Sequence, residues 1–100
     1  MADNRISIIL RVHLPADKRE QAKIAMLALV EPSRSEPGCI RYELYRDIER
    51  ERDLILLECW RDQAAFDEHL AKPYLKDFTI RFADVLKDAI TSGVTRLAAI

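Results

Sequence analysis

Two glycines, two cysteines and two histidines in 100 residues leave several common chemistries without their parts. With glycine only at Gly38 and Gly93, no loop can wrap consecutive backbone N–H groups around a phosphate, which argues against a nucleotide cofactor. Cys39 and Cys59 form no Cys-x-x-Cys pair, and His13 is the only histidine besides His69, so zinc-ligand spacing is missing. The charges nearly cancel, with 16 Lys and Arg against 17 Asp and Glu spread along the chain. That leaves no basic footprint for a phosphate backbone, and no nucleic-acid partner is expected. No apolar run nears the ~20 residues of a membrane-spanning helix, so no membrane association is expected either. The start, MADNRISII, lacks the basic-then-apolar layout of a secretion signal, and the expected location is cytoplasmic.

What is present is the pattern of a single domain over residues 1–100. Ile6 to Leu14 is a β-branched apolar run stopped by Pro15, a first strand. Asp17 to Val30 places Ala22, Ala25, Met26, Leu29 and Val30 at helical spacing, and Pro32 should kink or loosen that helix. Cys39 to Ile48 alternates, with Ile40, Tyr42, Leu44 and Ile48 on one parity; Asp53 to Arg61 is a third strand, and the ERER link is a solvated turn. Asp62 suits the N-cap of a helix over Gln63–Leu70. Pro73 opens another helix with the stripe Leu75, Phe78, Phe82, Val85, Leu86 and Ala89, and Val94 to Ile100 can form a fourth strand. The expected hairpin sets Cys59 opposite Tyr42, several residues from Cys39. Both cysteines are therefore expected as reduced, buried thiols.

The order strand, helix, strand, strand, helix, strand is a split βαβ pattern. It specifies an α+β, ferredoxin-like domain with a four-stranded antiparallel sheet and helices on one face. Strands one and three are apolar on both parities, so their outer face calls for a cover. A second copy of the sheet is the simplest, giving a face-to-face homodimer.

Function is concentrated in the 42 residues from Pro37 to Phe78, which hold Glu58, Trp60 and His69 framed by Phe66, Tyr74 and Phe78. A polar pair in an apolar enclosure is the layout of a small-molecule pocket. Glu58-Cys-Trp60, Phe66, His69-Leu70 and Pro73-Tyr-Leu-Lys-Asp-Phe78 together resemble the antibiotic biosynthesis monooxygenase superfamily, including its quinol monooxygenases. Glu36-Pro37-Gly38-Cys39, leading to Tyr42, is similar to that family's approach to its second strand. The resemblance implies a dimeric α+β barrel with one apolar pocket per subunit. It also implies an oxygenase without metal, flavin or haem, acting on a small aromatic substrate and dioxygen. In that case the electrons come from a deprotonated quinol or phenol, and the protein binds, deprotonates and excludes water. The family's folds also serve isomerases of small carbonyl sugars and ligand-binding dimers without chemistry, which stand as alternatives. The haem-degrading branch tends to place Trp where His69 stands and His where this chain has Thr79, which argues against haem.

Each residue has a plainer reading beside the functional one. Trp60 is either a core tryptophan or a platform on which a flat substrate stacks. His69 shares a helical face with Phe66 and Leu70 and is either a satisfied structural residue or the base that takes a phenolic proton. Glu58, a carboxylate in an otherwise apolar strand, needs a partner. His69 is one candidate, which Glu58 would orient; Arg41 or Arg46 is the other. Tyr42, Phe66, Tyr74 and Phe78 are core aromatics or substrate-binding pocket walls.

Overall fold

The computed structural model describes residues 3–100, except for the side chains of residues 89–92. Strands β1 (Ile6–His13), β2 (Cys39–Arg46), β3 (Asp53–Trp60) and β4 (Val94–Ala98) form one antiparallel sheet in the order β2-β3-β1-β4. The two central strands are the ones whose sequences are apolar on both parities. Their even positions, among them Ile8, Val12, Leu54, Leu56 and Trp60, are buried beneath the helices. The odd positions Ile9, Ile55 and Leu57 are only half-buried on the outer face, and Leu97 beside them is exposed. This is the ferredoxin-like α+β architecture that the element order specifies.

The first helical region departs from the expected single helix over 17–30. Helix α1 covers Arg19–Leu27 and α2 covers Val30–Arg34. The break falls at Ala28–Leu29, four residues before Pro32. Pro32 has no N–H to offer the Ala28 carbonyl, so the ladder shortens, with the Leu29 amide donating to Met26. Pro32 itself sits inside α2.

In the hairpin, β2 ends at Arg46 and Ile48 is almost fully exposed, so the expected alternation stops short. A bulge between Cys39 and Arg41 turns Ile40 outward, leaving it half exposed rather than in the Tyr42–Leu44 row. The same bulge sets Cys59 opposite Arg41, not Tyr42. Both cysteines are free, as expected, but they are half-buried rather than enclosed.

Helix α3 spans Gln63–Leu70, and the Asp62 carboxylate caps it by accepting the Ala65 amide at 2.8 Å. Pro73 opens α4 (Pro73–Arg81). The expected continuous stripe is divided at Phe82, which leaves helical geometry before α5 (Ala83–Ser92). Leu75, Phe78, Phe82, Val85 and Leu86 are nonetheless all buried. Ala89, the last of that stripe, lies outside the described side chains.

Candidate functional site

Between the sheet and the helices lies an apolar cavity of about 290 Å³. Tyr42, Leu56, Phe66 and Phe78 supply walls, and Glu58, His69 and Thr79 are among the polar side chains that line it. Burial fixes Glu58 and His69. Glu58 points inward because β3 alternates and its even positions face the helices. His69 lies one turn beyond Ala65 on the inner face of α3, whereas Asp67 and Glu68 face solvent.

The imidazole is held among four side chains. Its Nδ1 lies 2.7 Å from Glu36 Oε2, and its Nε2 lies 3.7 Å from Glu58 Oε1. Trp60 packs on the ring at 4.4 Å between centroids, and the edge of Tyr42 lies 5.7 Å away. A carboxylate at hydrogen-bond distance accepts from the Nδ1–H, which leaves the lone pair on Nε2, the nitrogen nearer Glu58. Burial pushes the His69 pKa below its ordinary value, against the opposite pull of Glu36. Burial also raises Glu58 to about 7; the Trp60 N–H acts against this rise, and the charge of Glu36 adds to it. The cavity thus presents a neutral base beside a carboxyl group that titrates near neutrality.

The candidates chosen from the sequence divide into two groups. His69, Glu58, Tyr42, Phe66 and Phe78 line the cavity. Trp60 and Tyr74 do not. Trp60 is fully buried beside His69, and its Nε1–H donates to Glu58 Oε1 at 2.9 Å. The expectation that its indole stacks on a substrate is therefore corrected: it stacks on the imidazole. Tyr74 is likewise no pocket wall. Its hydroxyl donates to Glu36 Oε2 and lies 3.3 Å from Ser33 Oγ. Burial, with Glu36 next in effect, pushes the Tyr74 hydroxyl up to about 12. Glu58 contacts His69, but the group bonded to the imidazole is Glu36. Neither arginine considered as a partner for Glu58 takes it, and Arg41 pairs with Glu43 instead.

Glu36 and Ser33 are the residues that sequence reasoning missed. Ser33 lies in α2 and Glu36 in the turn that follows it, where the Glu36 amide donates to the Ser33 carbonyl and the Cys39 amide to that of Glu36. Gly38 lets that turn close on α3, because a methyl group there would overlap Ala65 Cβ. The one available signal was the Glu-Pro-Gly-Cys run, whose glutamate reads as loop until the turn is seen beneath the helix. Among the described residues, no group of three His, Cys, Asp or Glu side chains is arranged to hold a metal ion. No described helix is long and apolar enough to cross a membrane.

The profile of the family described as antibiotic biosynthesis monooxygenase matches residues 5–79. An uncharacterised protein of Synechocystis sp. is 36% identical over 97% of the chain, which spans 66% of that relative's length. A Mycobacterium tuberculosis protein named "Putative monooxygenase Rv0793" is 29% identical, covering 93% of this chain and 89% of its own. The structure of Rv0793 superposes with a TM-score of 0.85 at 28% identity, over 96% of this chain and 95% of that one. A Methanosarcina mazei protein shares the fold with a TM-score of 0.86 at 20% identity, over 98% and 95% of the two chains.

Proposed function

The chain belongs to the antibiotic biosynthesis monooxygenase family, and from that premise we propose that it oxidises a small, electron-rich aromatic of the phenol or quinol type with dioxygen. The observation that carries this reading is that His69 lines an apolar cavity beside Glu58 while its Nδ1 is tied to Glu36. Ground-state dioxygen is a triplet and reacts slowly with closed-shell carbon, so an electron must come from a substrate anion. His69 takes the phenolic proton, and the enclosure keeps water from the anion. The anion passes one electron to dioxygen, and the radical pair joins at a ring carbon to give a hydroperoxide. Cleavage of its O–O bond with loss of the ring C–H proton leaves a carbonyl and one water. The aromatic gives up four electrons, and dioxygen accepts four. Glu58 in its protonated form supplies a proton to the departing oxygen.

Oxygen uptake with a panel of naphthols and hydroquinones tests the reaction. Consumption above substrate autoxidation, with one atom of labelled dioxygen in the product, is expected. Uptake no faster than autoxidation across the panel overturns it. A second reading is favoured by the same opposed pair: His69 and Glu58 could shuttle a proton on a small carbonyl compound without oxygen. Anaerobic proton–deuteron exchange into such a compound distinguishes the two.

The outer face of the sheet supports a homodimer in the same proposal. Ile9, Ile55 and Leu57 lie there half-buried beside exposed Leu97. Sheet-to-sheet pairing would cover them with a total interface above about 1,200 Å². Sedimentation at micromolar concentration should show a dimer, and a monomer there would reject the pairing.

A further inference from the structure

We propose that Glu36 is a positioning residue that sets the basicity of His69, and that Tyr74 moderates this effect by donating its hydroxyl proton to the same carboxylate oxygen. Glu36 Oε2 is shared, taking the His69 Nδ1–H at 2.7 Å and the Tyr74 O–H on the other side. Ser33 Oγ, 3.3 Å from the Tyr74 oxygen, extends the chain. Glu36, Ser33 and His69 are all buried, and Tyr74 is half-buried, so water screens these contacts poorly. The arrangement is built by the fold: Gly38 brings the 35–38 turn that follows α2 against Ala65, and His69 follows one helical turn later.

The consequences are electrostatic and have opposite signs. When Nε2 accepts a proton, the imidazolium has the Glu36 charge beside it, which favours the protonated form. Each hydrogen bond that Glu36 accepts elsewhere draws charge from that oxygen and weakens the help it gives. Glu36 therefore raises the affinity of His69 for a proton, and Tyr74 lowers it through Glu36. The other titratable groups facing the ring are Glu58 from β3, Tyr42 from β2 and Lys72 before α4, whose charge opposes imidazole protonation. None of these changes in the two variants below.

Titration of the ¹⁵N-histidine-labelled full chain by NMR tests the inference without any ligand. In the wild type, His69 should carry its proton on Nδ1. Glu36→Gln keeps an acceptor but removes the charge, and the His69 midpoint should fall by about one pH unit or more. Tyr74→Phe should move it the other way, upward and by less. His13, on the outer face of the sheet, is the internal control. Midpoints that stay within a few tenths of wild type, or that move together, overturn the proposal. If Glu36→Gln does not fold, the direction of the Tyr74→Phe shift decides alone.

The catalytic consequence rests on the proposed function. The acid limb of kcat/KM for oxygen uptake with 1,4-dihydroxynaphthalene should follow the NMR midpoints in both variants. Midpoints that shift while the limb stays fixed remove His69 as the oxidative base but leave the tuning intact. Midpoints that do not shift remove the tuning whatever the activity does.

Discussion

The two histidines of this chain make the same bond in opposite surroundings. His13 Nδ1 lies 2.7 Å from Asp53 Oδ1, and His69 Nδ1 lies 2.7 Å from Glu36 Oε2. The His13 side chain is 68% exposed, whereas that of His69 is 2% exposed. Asp53 also takes Arg11, and although its own carboxylate is buried, both cationic partners stand in solvent, His13 68% and Arg11 43% exposed. His69 is buried instead, and its second nitrogen lies 3.7 Å from Glu58 beside an apolar cavity. A histidine–carboxylate pair thus does not mark a site by itself. What the second nitrogen faces, and how dry that place is, decides the matter.

Truncating each ring gives the widest expected separation between the two pairs. His69→Ala should lower oxygen-dependent turnover by roughly 10²–10⁴-fold, the range for a positioned acid–base group. His13→Ala should leave turnover unchanged, because His13 lies on the opposite face of the sheet. Steady-state oxygen uptake checks both, with circular dichroism confirming the fold. Equal activity of His69→Ala and the wild type would remove the assigned base.

Next in size is a contrast in the sign of pH dependence. Glu58 is raised to about 7, so its proton is held more tightly in the folded chain than in the unfolded one. Its contribution to stability is full below its ordinary value of 4.5 and is lost as pH rises through about 7. Asp53 is lowered by its bond to His13, with Arg11 assisting. Its contribution is present above its ordinary value of 3.8 and is lost as pH falls through the depressed one. His69, lowered by burial, adds a rise toward 6.5 that both proteins of each comparison retain. Urea unfolding between pH 3 and 8 should show Glu58→Gln gaining on wild type as pH rises, and Asp53→Asn losing on it. A Glu58→Gln difference that is flat with pH would show that the cavity is not dry.

Much of the fold was legible because it follows from local pattern. The α3 boundaries, its Asp62 cap and the order of strands and helices along the chain all come from alternation, breakers and a capping residue within a few positions of one another. The pairing of His69 with Glu36 spans 33 positions and depends on how a turn closes, which no local period encodes. The parity of Trp60 was readable, but its depth was not. Alternation says which face a side chain takes; whether the centre of that face is filled or hollow depends on the helices above it. Gly38 tests the closing turn. Gly38→Ala should cost about 1–3 kcal/mol by overpacking against Ala65. In a domain of this size, that is a fall in Tm of about 4–8 °C per kcal/mol. The same variant should loosen Glu36 from His69, whereas the His13 resonances stay in place. An unchanged Tm would mean that the turn does not need the close approach.

The smallest expected effect concerns Trp60. Trp60→Phe keeps an aromatic ring against His69 but removes the N–H that Glu58 accepts at 2.9 Å. The loss of one buried hydrogen bond should cost about 1 kcal/mol of stability. That bond favours the ionised carboxylate, so without it the Glu58 titration should move above about 7. Because Trp60 lies behind His69 and is fully buried, KM for a bound aromatic should hardly change. A substrate-stacking tryptophan would behave in the opposite way, with KM rising and the Glu58 titration unmoved. Carbon-13 carboxyl NMR of Glu58, read beside KM in wild type and Trp60→Phe, separates the two cases. A raised KM without a shifted carboxyl would return Trp60 to the wall of the cavity, and with it the substrate-stacking role.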